Sequence, residues 1–136
     1  MTRAHERVVE AQFGPQARAY VESAVHAQGA DLEAIGALAE TLRPQMALDL
    51  GAGGGHVAYA LARHARRVIA TDLSPGMLAA VAETARGKGL SNIETAEAPA
   101  ERLPFADETF ALVANRYSAR RWRDFDAGLG QARRVM

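Results

Sequence analysis

Cysteine is absent from this 136-residue chain, which excludes a disulfide framework, a thiolate zinc site and a cysteine nucleophile. Lysine is almost absent: Lys88 stands alone among sixteen basic side chains, and the rest are arginine. Excess charge of either sign is missing too, because sixteen acidic side chains balance the basic ones, so no general affinity for polyanions follows. No apolar run approaches the roughly 20 residues of a membrane span, and residues 1–20 lack the unbroken apolar core of a signal peptide. A cytoplasmic protein with no membrane partner is expected. His26, His56 and His64 show no ligand spacing, so no metal is predicted. What remains is an alanine-rich chain, 49% hydrophobic, long enough for one domain over residues 1–136 and short for two.

Residues 1–44 read as a helical region. Gly14-Pro15 divides a short first helix from one carrying Tyr20, Val21 and Val25. Asp31 is placed to N-cap a third, with Leu32, Ile35, Leu38 and Leu42 at helical spacing and an end before Pro44. From residue 45 strands and helices alternate. Met46–Leu50 reads as a buried strand, followed by glycines and then a helix with Val57, Ala60 and Leu61 on one face. Val68–Thr71 is a second strand; Ser74 then N-caps a helix with Pro75 at its first position and Met77, Leu78, Val81 and Ala85 as its buried stripe. Asn92–Ala96 and Phe110–Ala114 are the third and fourth strands. Asp124 caps a last helix through Phe125, Leu129, Ala132 and Val135. Such alternation predicts a parallel sheet with helices on both faces.

The stretch LDLGAGGGHVA, residues 48–58, carries the chemistry. A glycine-rich turn from a strand into a helix brings bare backbone N–H groups against a ligand. Here the glycines are Gly51, Gly53 and Gly55, and His56 stands where a dinucleotide fingerprint wants its third glycine, which weighs against a nicotinamide cofactor. Asp49 puts a carboxylate two residues before the first glycine, where a phosphate would be repelled and a cationic group welcomed. Asp72 ends the second strand, 21 residues after Gly51, at the offset where a carboxylate takes ribose hydroxyls. The ligand reads as an adenosine with a positive charge and no phosphate tail.

These residues resemble the class I S-adenosylmethionine-dependent methyltransferases, in particular the small-molecule group with the ubiquinone/menaquinone and biotin-precursor methyltransferases. LDLGAGGGHVA is similar to their first motif, ATDLSPGML to the acidic second, and APAERLPFADETFALVANRYSARRW to the third and fourth; FGPQARAY resembles their N-terminal lid. The resemblance implies a Rossmann-like fold of about four parallel strands in the order 3-2-1-4, with a helical lid over residues 1–44 and a core over 45–136. It places Gly51, Gly53 and Gly55 under the methionine moiety of S-adenosylmethionine, and Asp49 near its amino group. Asp72 would hold the ribose, with Leu73 and Met77 beside the adenine, Ala100 and Glu101 in the adenine loop, and Asn115 at the mouth of strand four. Tyr20, from the lid, would be the catalytic-side residue, facing a small-molecule acceptor.

Three departures from the family pattern stand out. Pro99 occupies an adenine-loop position where an acidic or small polar residue is usual, and it has no N–H to offer. Arg120 and Arg121 stand where paired histidines are frequent, so an imidazole base is missing there. The family domain continues through about three more strands, so this chain reads as C-terminally truncated relative to it. An open strand-four edge then predicts a homo-oligomer, or coverage by a missing C-terminal segment. The arginines of NRYSARRWRD read as a solvated face beside a core tryptophan in preference to a nucleic-acid surface, since no wider basic field supports one. Methyl transfer to a small molecule leads; a non-catalytic module binding S-adenosylmethionine or S-adenosylhomocysteine, or a methyltransferase remnant, comes second, and a dinucleotide-dependent oxidoreductase third.

Overall fold

Among the described residues there are four short strands, with helices separating the first three and a loop without a helix joining the third to the fourth, and every strand pair is parallel. The structure, a computed structural model, describes residues 29–116, 118 and 122–136. The expected helices around Gly14-Pro15, with Tyr20, lie outside the described residues, as do Arg120 and Arg121. The elements are α1 (Ala30–Leu42), β1 (Met46–Leu50), α2 (His56–Ala62), β2 (Arg67–Asp72), α3 (Pro75–Gly87), β3 (Ile93–Glu97), β4 (Leu112–Ala114) and α4 (Phe125–Val135). The sheet runs β3-β2-β1-β4, the expected order.

Alternation along the central strands divides the core in two. Ala47 of β1 and Val68 and Ala70 of β2 face α1, α2 and α3, meeting Ala39, Leu61, Val81 and Ala85. Leu48, Leu50 and Ile69 point the other way, onto Leu103, Phe110 and Val135 beneath α4. Both faces of β1 are covered, which is why its sequence is almost wholly apolar and why Asp49 is conspicuous in it.

Caps and boundaries follow local chemistry, with five corrections. Ser74 accepts the Met77 N–H at 3.1 Å and Asp124 the Ala127 N–H at 3.0 Å, both as expected. Asp31 does not cap α1. Gly29 takes that position with no side-chain bond, and Asp31 lies in the first turn, where Arg116 Nε donates to its Oδ2 at 2.7 Å. The Arg116 side chain is only 5% exposed, and a buried guanidinium claims a carboxylate more strongly than a helix end does. Leu38 and Leu42 turn outward, because the stripe that meets the sheet is Leu32, Ile35 and Ala39. On α2 it is Ala58 and Tyr59, not Ala60, that join Val57 and Leu61 in the core. The third strand sits one residue later than expected, at 93–97, and the fourth keeps only Leu112–Ala114: the Phe110 N–H goes to the Val135 carbonyl at the α4 end, while the Ala111 N–H still donates to Met46 of β1.

Candidate functional site

The carboxyl ends of β1, β2 and β4 meet where the glycine loop leaves the sheet. In register, Asp49 lies between Ala70 of β2 and Ala114 of β4, at the centre of this end. The loop is held from within: the Ala52 N–H donates to the Thr71 carbonyl at 2.6 Å and the Gly55 N–H to the Ala52 carbonyl at 2.9 Å. The crevice outside the carboxyl ends of the strands is where open α/β sheets bind ligands.

Gly51 and Gly55 both take positive φ, 76° and 87°. A Cβ on Gly51 would stand 2.5 Å from Cβ of Ser118, and one on Gly55 would stand 2.6 Å from the Tyr59 hydroxyl and 2.8 Å from Val81 Cγ2. Glycine is thus demanded twice over, by backbone conformation and by close approach. The Gly53 N–H donates to Asp72 Oδ2 at 2.9 Å, and the Ser74 N–H to Asp72 Oδ1 at 3.1 Å. One carboxylate therefore ties the glycine loop to the loop entering α3. Each of its oxygens retains acceptor capacity beyond the backbone bond it receives.

Asp49 is 1% exposed and accepts the Ala58 N–H at 3.0 Å, with its Oδ2 turned to the first turn of α2. Burial pushes its carboxyl up to about 8; the Ala58 bond opposes that and the Asp72 charge adds to it. In the structure Asp49 is thus a largely neutral acid at pH 7 that supports the loop from beneath. Leu73 is half-buried at the start of the second loop, and Met77 is fully buried in the first turn of α3.

The loop after β3 begins with an Ala98 N–H donated to the Asp72 carbonyl at 3.1 Å, which brings it beside the acid. Ala100 packs into the core under α4. Glu101 accepts the Asp124 N–H at 3.0 Å, so one of its oxygens holds the start of α4. Asn115 follows β4 and contacts the Ser118 hydroxyl through its Oδ1. Asp49, Gly51, Gly53, Gly55, Asp72 and Asn115 are brought together around the sheet end. Glu101 is drawn toward α4, and Tyr20 lies outside the described residues.

Two residues of this cluster carry no sequence signal that motif reasoning would single out. Ser118 is 3% exposed and donates to the Leu50 carbonyl at 2.9 Å, closing the chain after β4 over Gly51. Tyr59 donates to the Gly54 carbonyl at 3.1 Å. Burial pushes its phenol up to about 12, against a hydrogen bond with Thr84, so it remains a donor throughout the physiological range. Its position four residues after Gly55, one helical turn on, is the only trace of this in the sequence.

Comparison with known proteins agrees with this geometry. The profile of the methyltransferase domain family matches residues 47–136. The chain is 32% identical over 127 residues to the uncharacterized methyltransferase YcgJ of Bacillus subtilis, covering 93% of this chain and 50% of that protein. It is 37% identical over 91 residues to the demethylmenaquinone methyltransferase of Thermobifida fusca, covering 67% of this chain and 39% of the relative. The crystal structure of YcgJ superposes with a TM-score of 0.70 at 29% identity, covering 76% of this chain and 46% of that one. The chain thus spans about half the length of the curated relatives it matches. Strand order, glycine loop and a profile match over well over half its length agree, and the chain belongs to the methyltransferase domain family, with its Rossmann-like fold.

Proposed function

We propose that this chain binds S-adenosylmethionine at the sheet end and serves methyl transfer to a small-molecule acceptor. The observation that carries the reading is a glycine cradle set between two acids with no base beside it. Residues 49–55 and 71–77 hold Asp49 and Asp72 and contain neither lysine nor arginine. Asp72 suits the ribose hydroxyls of an adenosine ligand, and Asp49 beneath the loop suits a positive charge and not a phosphate, while His56 stands where a dinucleotide fingerprint has its third glycine. At Gly51 and Gly55 the place of a Cβ is taken by Ser118 and by Tyr59 and Val81, so these two glycines serve the packing that shapes the loop.

When bound, S-adenosylmethionine supplies an electrophilic methyl group on a positively charged sulfur. The chain's part is binding and orientation. Asp72 has acceptor capacity for the ribose hydroxyls while its backbone bonds keep it in one rotamer. The Gly51–Gly55 backbone lies under the methionine portion, and a cationic amino group brought near Asp49 would favour the ionised form of that buried acid. Leu73, half-buried, offers apolar surface to the adenine, Met77 is buried in the first turn of α3 beside that loop, and Ala100 and Glu101 belong to the loop proposed to cover the adenine. Asn115 stands at the mouth of the crevice beside Ser118. Tyr20, with the segment 115–123, forms the acceptor side. With an acceptor in hand, unchanged turnover in Tyr20→Ala would remove that residue from the role.

Calorimetric titration with S-adenosylhomocysteine tests the reading. Micromolar binding is expected for the 136-residue chain. Asp72→Ala should weaken it by about 10- to 100-fold, the worth of one or two hydrogen bonds to a charged group. Because Asp72 also holds Gly53, Asp72→Asn serves as a second variant that keeps one acceptor oxygen and should fall between the two. A folded wild-type protein with no heat of binding would overturn the proposal.

A further inference from the structure

A cavity of about 310 Å³ opens between α1, α2 and the end of α3, running along α2 and just past its end, from His56 to His64. That volume is at the lower end of the range of small-molecule sites. Its walls are of two kinds. Leu32, Gly36, Ala60 and the Tyr59 ring make an apolar side; Arg63, His64 and Lys88 make a basic one, joined by His56, with Glu33 the single acid among the described residues. His64 Nδ1 is buried and has no hydrogen-bond partner. Lys88 Nζ lies 5.4 Å from the Tyr59 ring centroid, which holds the ammonium against the aromatic wall. Among the described residues, no carboxylate forms an ion pair with Arg63 or Lys88.

A packing defect would be lined by hydrocarbon and stay dry. Here two permanent cations and two imidazoles line one cavity with one opposing carboxylate, and this chain has only one lysine to spend. A buried imidazole nitrogen without a partner is a group awaiting a ligand or an ordered water. None of the lining residues is Asp49, Asp72 or a glycine of the loop, so the cavity is separate from the crevice at the sheet end.

We propose that this cavity is a second ligand site, taking a small organic anion with a short apolar or aromatic body. The anionic head lies against Arg63, Lys88 and His64, and the body against Leu32 and the Tyr59 ring. Tyr59 also holds the Gly54 carbonyl, so an occupant touches the side chain that anchors the glycine loop.

The test is a titration of the full 136-residue chain with phenyl phosphate, with inorganic phosphate as the head alone and benzyl alcohol as the uncharged body, followed by amide shifts in nuclear magnetic resonance. No S-adenosyl compound is present, so the outcome is independent of the methyl-donor reading. Phenyl phosphate is expected to saturate below ~1 mM, with inorganic phosphate at least ~10-fold weaker and benzyl alcohol weaker still. The largest shifts should fall at residues 60–64 and at Lys88. Arg63 is exposed, so Arg63→Ala should keep the wild-type melting temperature while weakening phenyl phosphate about 10-fold, and Arg66→Ala, outside the cavity, should change nothing. No saturable binding, binding of equal strength in Arg63→Ala, or shifts confined to residues 51–55 each overturn the proposal.

Discussion

At Asp49 burial and a neighbouring charge act in the same direction. The carboxyl is lifted from 3.8 to about 8 in the folded state, so between those values the folded protein holds a proton that the unfolded chain has lost. Stability then falls as pH rises across that window, is fully present below pH 4 and is lost above pH 8. Asp49→Asn removes the titration while keeping an oxygen for the Ala58 N–H. From pH 5 to pH 8 the variant is expected to gain about 1–3 kcal/mol relative to wild type, discounted from the full linkage value because buried acids relax and admit water. Parallel urea-unfolding curves for the two proteins across that range would show that Asp49 is already ionised. The acid's presence in β1 was plain from the sequence, and its offset from Gly51 pointed to a ligand's cation. Its hydrogen bond to Ala58 was not visible, because that depends on where α2 starts relative to the strand.

Among the elements, α4 is held by its last turn. Arg134 donates to the Phe105 carbonyl at 2.7 Å, the Leu103 carbonyl at 3.0 Å and Gln131 Oε1 at 3.0 Å, and pairs with Asp107 at 2.8 Å. Asp107 is largely exposed, so the ion pair adds little; the half-buried carbonyls matter more. Arg134→Met keeps the stem and leaves those acceptors unanswered, and should cost about 1–2 kcal/mol with an unchanged urea m-value. A shift of the midpoint within error would mean that water replaces the guanidinium without loss. The start of this helix, at Asp124, was legible from the residue type alone. Its end was not, since Arg134 reads as one more arginine until Leu103 and Phe105 are known to lie beside it. Asp31 makes the converse point: it has the chemistry of a cap, but a buried Arg116 85 residues away took it.

At the scale of the molecule, the described residues form a four-stranded sheet. Among the described residues β4 pairs only with β1, and its outer edge offers unmatched N–H and C=O groups. Phe125, Leu129 and Met136 of the neighbouring α4 region add exposed apolar surface. We expect the 136-residue chain alone to associate through this edge, as a dimer or larger in light scattering; a well-folded strict monomer would contradict it. No helix among the described residues is long and apolar enough to cross a membrane. Residues 46–50, 74–75 and 124 declared their roles by local chemistry: an apolar run covered on both faces, a serine before proline, an aspartate before a helix. The place of the glycines and of Asp72 together at the sheet end followed from their spacing. Strand order agreed with the motif resemblance, because parallel strands joined by helices have few ways to close. What tertiary structure alone decided were the contacts made across the sheet end and over it: Ser118 on Gly51, Tyr59 on Gly54, Arg116 on Asp31, and the basic cavity behind α2. The physical reason is range. Caps, turns and periodicity act within a few residues and are written locally, whereas the partner of a buried polar group is whichever group the packed elements bring within 3 Å or so, and no local pattern names it.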